Sequence, residues 1–123
     1  MSWAGDEADA HQQVVEPLDL QPGGEKQLAS VAQRLIEISA KIPKDIQWVL
    51  QVDGHTDDKP IKTAEFPSNW ELSAARAIAV VKFLHKQGIP YDHLVAAGYG
   101  QYQPISTTDN ALNRRIELKL TNR

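Results

Sequence analysis

The chain has 123 residues, of which 41% are hydrophobic and 24% charged, and this size fits one globular domain. Its 13 Lys and Arg against 16 Asp and Glu give a net charge of -3, so no diffuse positive field is present to bind nucleic acid. The absence of cysteine excludes disulfides and thiolate metal sites, and no apolar run approaches the roughly 18 residues of a membrane span. We therefore expect neither nucleic acid nor membrane contact by this chain.

The first residues carry no apolar periodicity, and we interpret residues 1–13 as a flexible lead-in to one domain covering residues 14–123. The start lacks the pattern of a secretory signal, so we expect the chain to be a piece of a longer protein. The apolar segment from Val14 to Leu20 contains Pro17, which has no amide donor, and this combination predicts either an edge strand or a strand with a break.

The next two elements follow from a change of hydrophobic period. Turn-forming residues 21–24 precede apolar positions at helical spacing over residues 28–42, and Pro43 ends this first helix. Over residues 46–54 the period becomes two, which predicts a strand with alternate side chains on opposite faces.

A second helix is predicted from about residue 70 to 87, after a polar stretch. Ser68 and Glu71 have the spacing of a capping box, and Ser73 is another candidate N-cap. The small apolar residues 94–98 predict a short buried strand.

The last strand has the clearest pattern, because three apolar residues alternate with charged ones after Arg115. The order β-α-β-α-β-β predicts an α+β fold, a two-layer sandwich with two main helices packed on one face of a small mixed sheet. The polar alternates of the last strand predict a solvated opposite face.

Polar side chains concentrate where the strand over residues 46–54 ends. Asp53, His55 and Asp57 are ligand types for a divalent metal, but their spacing is common in loops and a solvated turn is the better interpretation. Ser73, His55 and Asp57 supply the residue types of a hydrolase without any nucleophile elbow. We therefore predict no enzyme, no metal and no cofactor.

Arginines are the other candidates for a site. Arg76 has small neighbours on the second helix, and by itself it is better explained as a solvated surface residue than as a carboxylate-binding fork. Alternation at the start of the last strand places Arg114 on the helix side and Arg115 towards solvent. A position on the helix side is compatible with an approach of Arg114 to the Asp57 loop, but alternation does not fix that distance.

Three ordered motifs carry a resemblance that covers about residues 14–121. They are Gly54-His55-Thr56-Asp57, Asn69-Trp70-Glu71-Leu72-Ser73-Ala74-Ala75-Arg76-Ala77 and Asn113-Arg114-Arg115-Ile116-Glu117. With them the chain resembles the OmpA-like C-terminal domain, a non-covalent peptidoglycan-binding module of outer-membrane proteins, peptidoglycan-associated lipoproteins and flagellar stator proteins. The connection over residues 59–68 is longer than in most members and is most similar to the stator branch.

The resemblance implies a set of residues that bind the diaminopimelate of the peptidoglycan stem peptide. Asp57 would accept from its ammonium group, and Arg76 would bind its carboxylate in a bidentate manner. Four further residues would complete the site: Asn69 by a hydrogen bond, Leu72 and Ser73 as its wall, and Arg114 from the last strand.

The function implied is wall anchoring of a parent envelope protein in the periplasm of a Gram-negative bacterium, without catalysis. The alternative is a dimerisation or docking domain of a stator-like or secretion-associated complex, a homodimer being one form of it, because Ile61, Phe66 and Trp70 add apolar surface. A third hypothesis is an amidase or metallohydrolase acting on the same polymer.

Overall fold

The structure is a computed structural model and describes residues 11–15 and 22–122. The strands and helices follow in the order β1 His11–Val15, α1 Pro22–Ser39, β2 Trp48–His55, α2 Asn69–Lys86, β3 Leu94–Gly98, α3 Asn110–Asn113 and β4 Arg115–Asn122. The sheet order is β1-β4-β2-β3, with β2 and β3 parallel and the other two pairs antiparallel. The mixed sheet and the two long helices confirm the predicted α+β fold.

The hydrophobic core lies between the helices and one face of the sheet. Period-two alternation gives β2 and β4 one apolar face each, and the register places Val52 opposite Leu118 and Leu50 opposite Leu120. The helices contribute the other half of the buried cluster, with Leu28, Ala32 and Leu35 from α1 and Ala77, Val80 and Leu84 from α2. Both long helices therefore bury their apolar stripes against the same face of the sheet.

Two glycines allow α2 to lie unusually close to the sheet. A Cβ atom at Gly54 would lie 2.2 Å from the carbonyl oxygen of Ser73, and one at Gly98 would lie 2.7 Å from the amide nitrogen of Ala74. Both obstacles are backbone atoms, which do not move aside cheaply. Glycine on β2 and β3 thus brings the first turns of α2 against the ends of both strands.

The N-terminal part differs from the prediction in two places. The strand β1 covers His11–Val15, so it includes three residues of the predicted lead-in, while Pro17 to Leu20 lie outside the described residues. The predicted turn over residues 21–24 is wrong from residue 22 onward, because α1 begins at Pro22. Proline is favoured at a first helical position, where the amide it lacks would have had no partner.

Three further local predictions are resolved by the structure. The N-cap of α2 is Ser68, whose side chain accepts from the Trp70 amide, whereas Ser73 lies inside the helix. The strand β2 extends to His55, because its pairing with β4 continues there. β3 is an edge strand with Val95 exposed, so its prediction as a buried strand is wrong.

Candidate functional site

The loop that leaves β2 carries a buried carboxylate at Asp57. Its Oδ2 atom accepts from Nη1 of Arg114 at 2.6 Å, and its Oδ1 atom accepts from the backbone amide of Lys59 at 3.1 Å. Arg114 stands between α3 and β4, and its side chain is 43% exposed. The predicted approach of Arg114 to the Asp57 loop is therefore confirmed in the geometry, as an ion pair at the edge of solvent.

Asn69, the first residue of α2, holds the Asp57 loop in place. Its side-chain amide lies within donating distance of the carbonyl oxygens of Asp57 at 3.3 Å and Lys59 at 3.1 Å, and of Oε1 of Gln101 at 2.9 Å. The side chain is buried. Asn69 thus joins the loop after β2 to the loop after β3, a positioning task in addition to any contact with a ligand.

Ser73 is fully buried, and both of its observed hydrogen bonds are internal. Its hydroxyl donates to the Trp70 carbonyl at 3.0 Å and accepts from the Gly100 amide at 2.9 Å. Leu72, one residue earlier on α2, is half-buried. Of these two predicted wall residues, Leu72 is thus the one with surface left for a ligand.

Arg76 lies one turn beyond Leu72 and Ser73 on α2, and it is half-buried. Residues 69, 72, 73 and 76 have the i, i+3, i+4, i+7 spacing of one helix face, so Arg76 lies on the same side of α2 as Asn69. Within residues 11–15 and 22–122, no hydrogen bond or ion pair holds its guanidinium. The five N–H donors of this guanidinium are therefore unoccupied on the side of α2 that carries Asn69.

The structure does not bring together Ser73, His55 and Asp57, the residue types that the sequence offers for a hydrolase. Side chains alternate along β2, and Gly54 faces Ser73, so His55 points to the opposite face of the sheet. Neither ring nitrogen of His55 has a hydrogen-bond partner among the described residues, and Ser73 bonds only to backbone groups. The interpretation of Asp53, His55 and Asp57 as a solvated turn is wrong, because all three are buried, and Asp53 and His55 group with Glu117 and not with Asp57.

The face of the sheet away from the helices carries a buried polar cluster that includes Asp53, His55, Arg115 and Glu117. The predicted exposure of Arg115 is wrong. Its guanidinium donates to Glu117 Oε2 at 2.5 Å and to the carbonyl of Gln103 at 2.9 Å, and it is buried. Alternation predicted the correct face, but the loop containing Gln103 covers that face, and nothing in its sequence is periodic enough to show this.

Burial lowers the pKa of His55 below 6.5, and the Arg115 guanidinium lowers it further, while Glu117 and Asp53 act in the opposite direction. The imidazole is therefore neutral at neutral pH. Burial is the largest single effect on Lys119 and lowers its pKa, but the Asp53 carboxylate, together with Tyr99 and Glu117, raises the pKa above 10.5 overall. Lys119 thus remains an ammonium ion beside Asp53.

The segment over residues 59–68 has no helix or strand, and Ile61 and Phe66 in it are half-buried. The Thr63 amide donates to the Phe66 carbonyl at 3.0 Å, which closes a turn. Trp70 is 50% exposed and stacks on Tyr102, itself 58% exposed, with ring centroids 5.1 Å apart. Of the apolar residues predicted for docking, Trp70 is the one that remains at the surface.

Comparison with known proteins identifies the family. The OmpA family model matches residues 18–117, which is most of the chain. The chain belongs to the OmpA family. Motility protein B of Helicobacter pylori is 37% identical over 90 residues, which cover 70% of this chain and 34% of that protein. The peptidoglycan-associated lipoprotein of Pseudomonas aeruginosa is 35% identical over 92 residues, 72% of this chain and 52% of that protein.

Other members of the OmpA family extend this comparison. The uncharacterized protein YtxE of Bacillus subtilis is 38% identical over 102 residues, 77% of this chain and 41% of its own length. This chain thus spans between a third and about half of the curated relatives' lengths. The periplasmic domain of Helicobacter pylori MotB superposes with a TM-score of 0.72 at 26% identity, over 90% of this chain and 74% of that one.

A further solved structure is described as the cell wall anchor of the T6SS from Pseudomonas aeruginosa. It superposes with a TM-score of 0.67 at 26% identity and covers 90% of this chain and 76% of that chain. Among the described residues, no helix is long and apolar enough to span a membrane.

Proposed function

We propose that this chain binds peptidoglycan without cleaving it, through the diaminopimelate residue of the stem peptide, and so anchors a parent envelope protein to the wall. Diaminopimelate presents an ammonium and a carboxylate on one stereocentre. A binder therefore needs an anion and a cation at a fixed separation. Asp57 and Arg76 are the two groups proposed for these roles.

The unoccupied guanidinium of Arg76 is the observation that carries the proposal. Planar guanidinium groups bind carboxylates through two parallel hydrogen bonds, and Arg76 has no partner among the described residues that would compete. Asp57 is paired with Arg114, but a carboxylate has about four acceptor positions, so an incoming ammonium needs only a free one.

The remaining predicted residues support this pair. Asn69 fixes the Asp57 loop against α2, Leu72 offers apolar wall, and Ser73 fixes the loop after β3 through Gly100. We propose Ser73 as a positioning residue, because its hydroxyl is occupied by backbone partners.

Single-site binding is expected to be weak. Charge-assisted hydrogen bonds contribute roughly 1.5 to 3 kcal/mol each, and two or three of them do not give tight binding of a small ligand. A polymer that repeats the stem peptide compensates by effective concentration when several domains are held near the same wall.

Co-sedimentation with purified sacculi tests the proposal. The wild-type chain should pellet with walls of the diaminopimelate type and remain in solution with walls of the lysine type. Asp57→Asn and Arg76→Gln should each lower the apparent affinity roughly 10- to 100-fold, as expected for losing one charge-assisted contact. The matched controls are Asp58→Asn, next to Asp57 and exposed, and Lys82→Gln, exposed on the same helix. Equal pelleting of all five proteins would overturn the site.

The proposed location is the extracytoplasmic cell envelope. Relatives include a periplasmic domain of MotB and a peptidoglycan-associated lipoprotein, and also a Bacillus protein. The prediction of a Gram-negative source is therefore not supported, and the proposed location is the bacterial cell envelope in general. Whether the parent belongs to a motor, a secretion system or a simple tether depends on the rest of that protein.

The stacked pair of Trp70 and Tyr102 favours a second candidate, a docking or dimerisation surface. Two large exposed aromatic rings at one place are typical of an interaction site. This candidate predicts concentration-dependent association in sedimentation velocity that Trp70→Ala abolishes and Asp57→Asn leaves unchanged. A constant monomer mass would contradict it.

A further inference from the structure

The polar cluster on the outer face of the sheet has a defined geometry. Asp53 and His55 are two residues apart on β2 and therefore point to the same side. The register places Glu117 of β4 directly opposite Asp53. Two side chains from one strand and one from its neighbour thus converge, and one potential ligand atom from each lies within 4.8 Å of the other two.

Three buried polar atoms of Asp53 and His55 lack a hydrogen-bond partner among the described residues. Two of them are the ring nitrogens of His55, which is 4% exposed, and its Nε2 atom lies 3.8 Å from Glu117 Oε2, beyond hydrogen-bond distance. The third is Oδ2 of Asp53, which has the Lys119 ammonium 3.3 Å away as its ion-pair partner. Most buried polar side-chain atoms are hydrogen-bonded, so an imidazole without a hydrogen bond in the described part of the chain needs an explanation.

We propose that Asp53, His55 and Glu117 bind a divalent transition-metal ion of the zinc class. One imidazole and two carboxylates are ligands that Zn²⁺ accepts. Both carboxylates also have a cationic partner in the structure, which is Arg115 for Glu117 and Lys119 for Asp53. Three protein ligands leave a coordination position for water. The ion would join β2 to β4 on the face opposite the core, independently of the Asp57 site.

Asp53 and His55 each already have a second group that orients them, as metal ligands usually do. The side-chain amide of Gln51 donates to Asp53 Oδ1 at 2.8 Å, which leaves Oδ2 for the ion. Tyr99 stacks on the His55 ring with centroids 5.1 Å apart and planes within 7°.

Space for the ion and its water is present next to the ligands. A cavity of about 190 Å³ is lined by all three ligands and by residues 103–105. This volume exceeds that of a single water molecule, whose share of the liquid is about 30 Å³. The cavity is partly open to solvent, which gives the ion a path of entry.

Lys119 is the natural competitor of the metal ion. Its ammonium occupies the side of Asp53 that the ion would use, and its side chain is 28% exposed, so it can turn into solvent when the ion binds. Removing this ammonium should therefore strengthen metal binding. A cavity that held only water would show no such gain.

Calorimetric titration of the untagged chain, first stripped with a chelator, tests the site. We expect one Zn²⁺ per chain and much weaker binding of Mg²⁺ and Ca²⁺. Asp53→Asn and His55→Gln should each lower the Zn²⁺ affinity at least about 100-fold, and Lys119→Met should raise it roughly 10-fold. His85→Gln, an exposed histidine elsewhere on the chain, is the matched control and should bind as the wild type.

A second measurement on the wild type keeps the test independent of whether the variants fold. In histidine-ring nitrogen NMR spectra, Zn²⁺ should shift the His55 resonances and leave those of His93 unchanged. Absence of Zn²⁺ binding up to millimolar concentration would overturn the proposal. Binding that His85→Gln removes, or that shifts other rings but not His55, would also overturn it.

Discussion

At the scale of single residues, the two charged groups of the candidate site differ in the number of partners they have. Asp57 is held from two sides by Arg114 and the Lys59 amide, whereas Arg76 has no partner in the described part of the chain. We interpret Asp57 as a pre-positioned acceptor and Arg76 as the group that is desolvated only when ligand arrives. Substitution of a neighbouring residue should therefore affect ligand binding through Asp57, which depends on its partners, more than through Arg76.

Arg114→Gln tests the role of the Asp57 partner. Arg114 orients Asp57, but the Lys59 amide holds the other carboxylate oxygen, so we expect the apparent affinity for diaminopimelate sacculi to fall less than tenfold. Because the Arg114 side chain is 43% exposed, the free energy of unfolding should change by less than about 1 kcal/mol. A loss as large as that of Asp57→Asn would assign Arg114 a direct contact with the ligand instead.

The sequence could predict the site residues only by motif. Spacing on α2 predicts that Asn69, Ser73 and Arg76 share a face, but the partners that Asn69 and Ser73 have outside α2 are loop residues. Gln101, which accepts from Asn69, and Gly100, which donates to Ser73, lie after β3 in a stretch without periodicity. Contacts between two loops depend on where the strands end, and β2 ends one residue later than its pattern indicates.

At the scale of elements, the N-terminus of α2 is fixed by a capping arrangement read correctly from the sequence. The Ser68 hydroxyl lies within hydrogen-bond distance of Oε1 of Glu71 and of the Trp70 amide, where it can act once as donor and once as acceptor. This cap determines where the helix begins, and Asn69 of the candidate site is the next residue.

The hydrogen bond from the Ser68 side chain, followed by the Glu71 amide, lowers the Glu71 pKa below 4.5. A lowered folded pKa contributes stability that is present above pH 4.5 and lost as the pH falls through the folded pKa. Ser68→Ala should return the pKa of Glu71 towards 4.5 and remove that part of the acid dependence. Carboxyl NMR titration measures this, and an identical Glu71 titration in both proteins would contradict it.

Other element-level predictions succeed or fail for physical reasons. Hydrophobic period predicted both long helices and the strands β2 and β4, because their apolar faces are set by the core. The turn predicted from Pro22 fails because proline suits a helix start as well as a turn. The prediction that β3 is buried fails because its small apolar residues do not show which strand lies at the edge of the sheet.

At the scale of the whole molecule, β2 contributes functionally relevant residues to both faces of the sheet. Its glycine at position 54 receives α2 on the core side, while Asp53 and His55 on either side of it point to the outer cluster. The candidate peptidoglycan site lies just beyond the end of the same strand. A close contact between α2 and the sheet is therefore a condition for the geometry of the site.

Gly54→Ala tests that condition. The new Cβ atom would lie 2.2 Å from the Ser73 carbonyl oxygen, so α2 must move away from the sheet or the strand must shift. Overpacking of this kind usually costs about 1 to 3 kcal/mol, and a backbone obstacle favours the upper end. Urea unfolding should show this decrease in the free energy of unfolding, and sacculus binding should weaken as well. A decrease below about 0.5 kcal/mol would mean that α2 and the sheet are not tightly packed at Gly54.

NMR shows whether the ligand carboxylate binds the guanidinium of Arg76, as we propose. Side-chain N–H resonances of Arg76 would be followed while a soluble stem peptide is added, once with diaminopimelate and once with lysine at the same position. We expect saturable shifts at Arg76 and at the Asn69 side-chain amide with the diaminopimelate peptide only. Shifts of equal size with both peptides, or none at Arg76, would contradict this proposal.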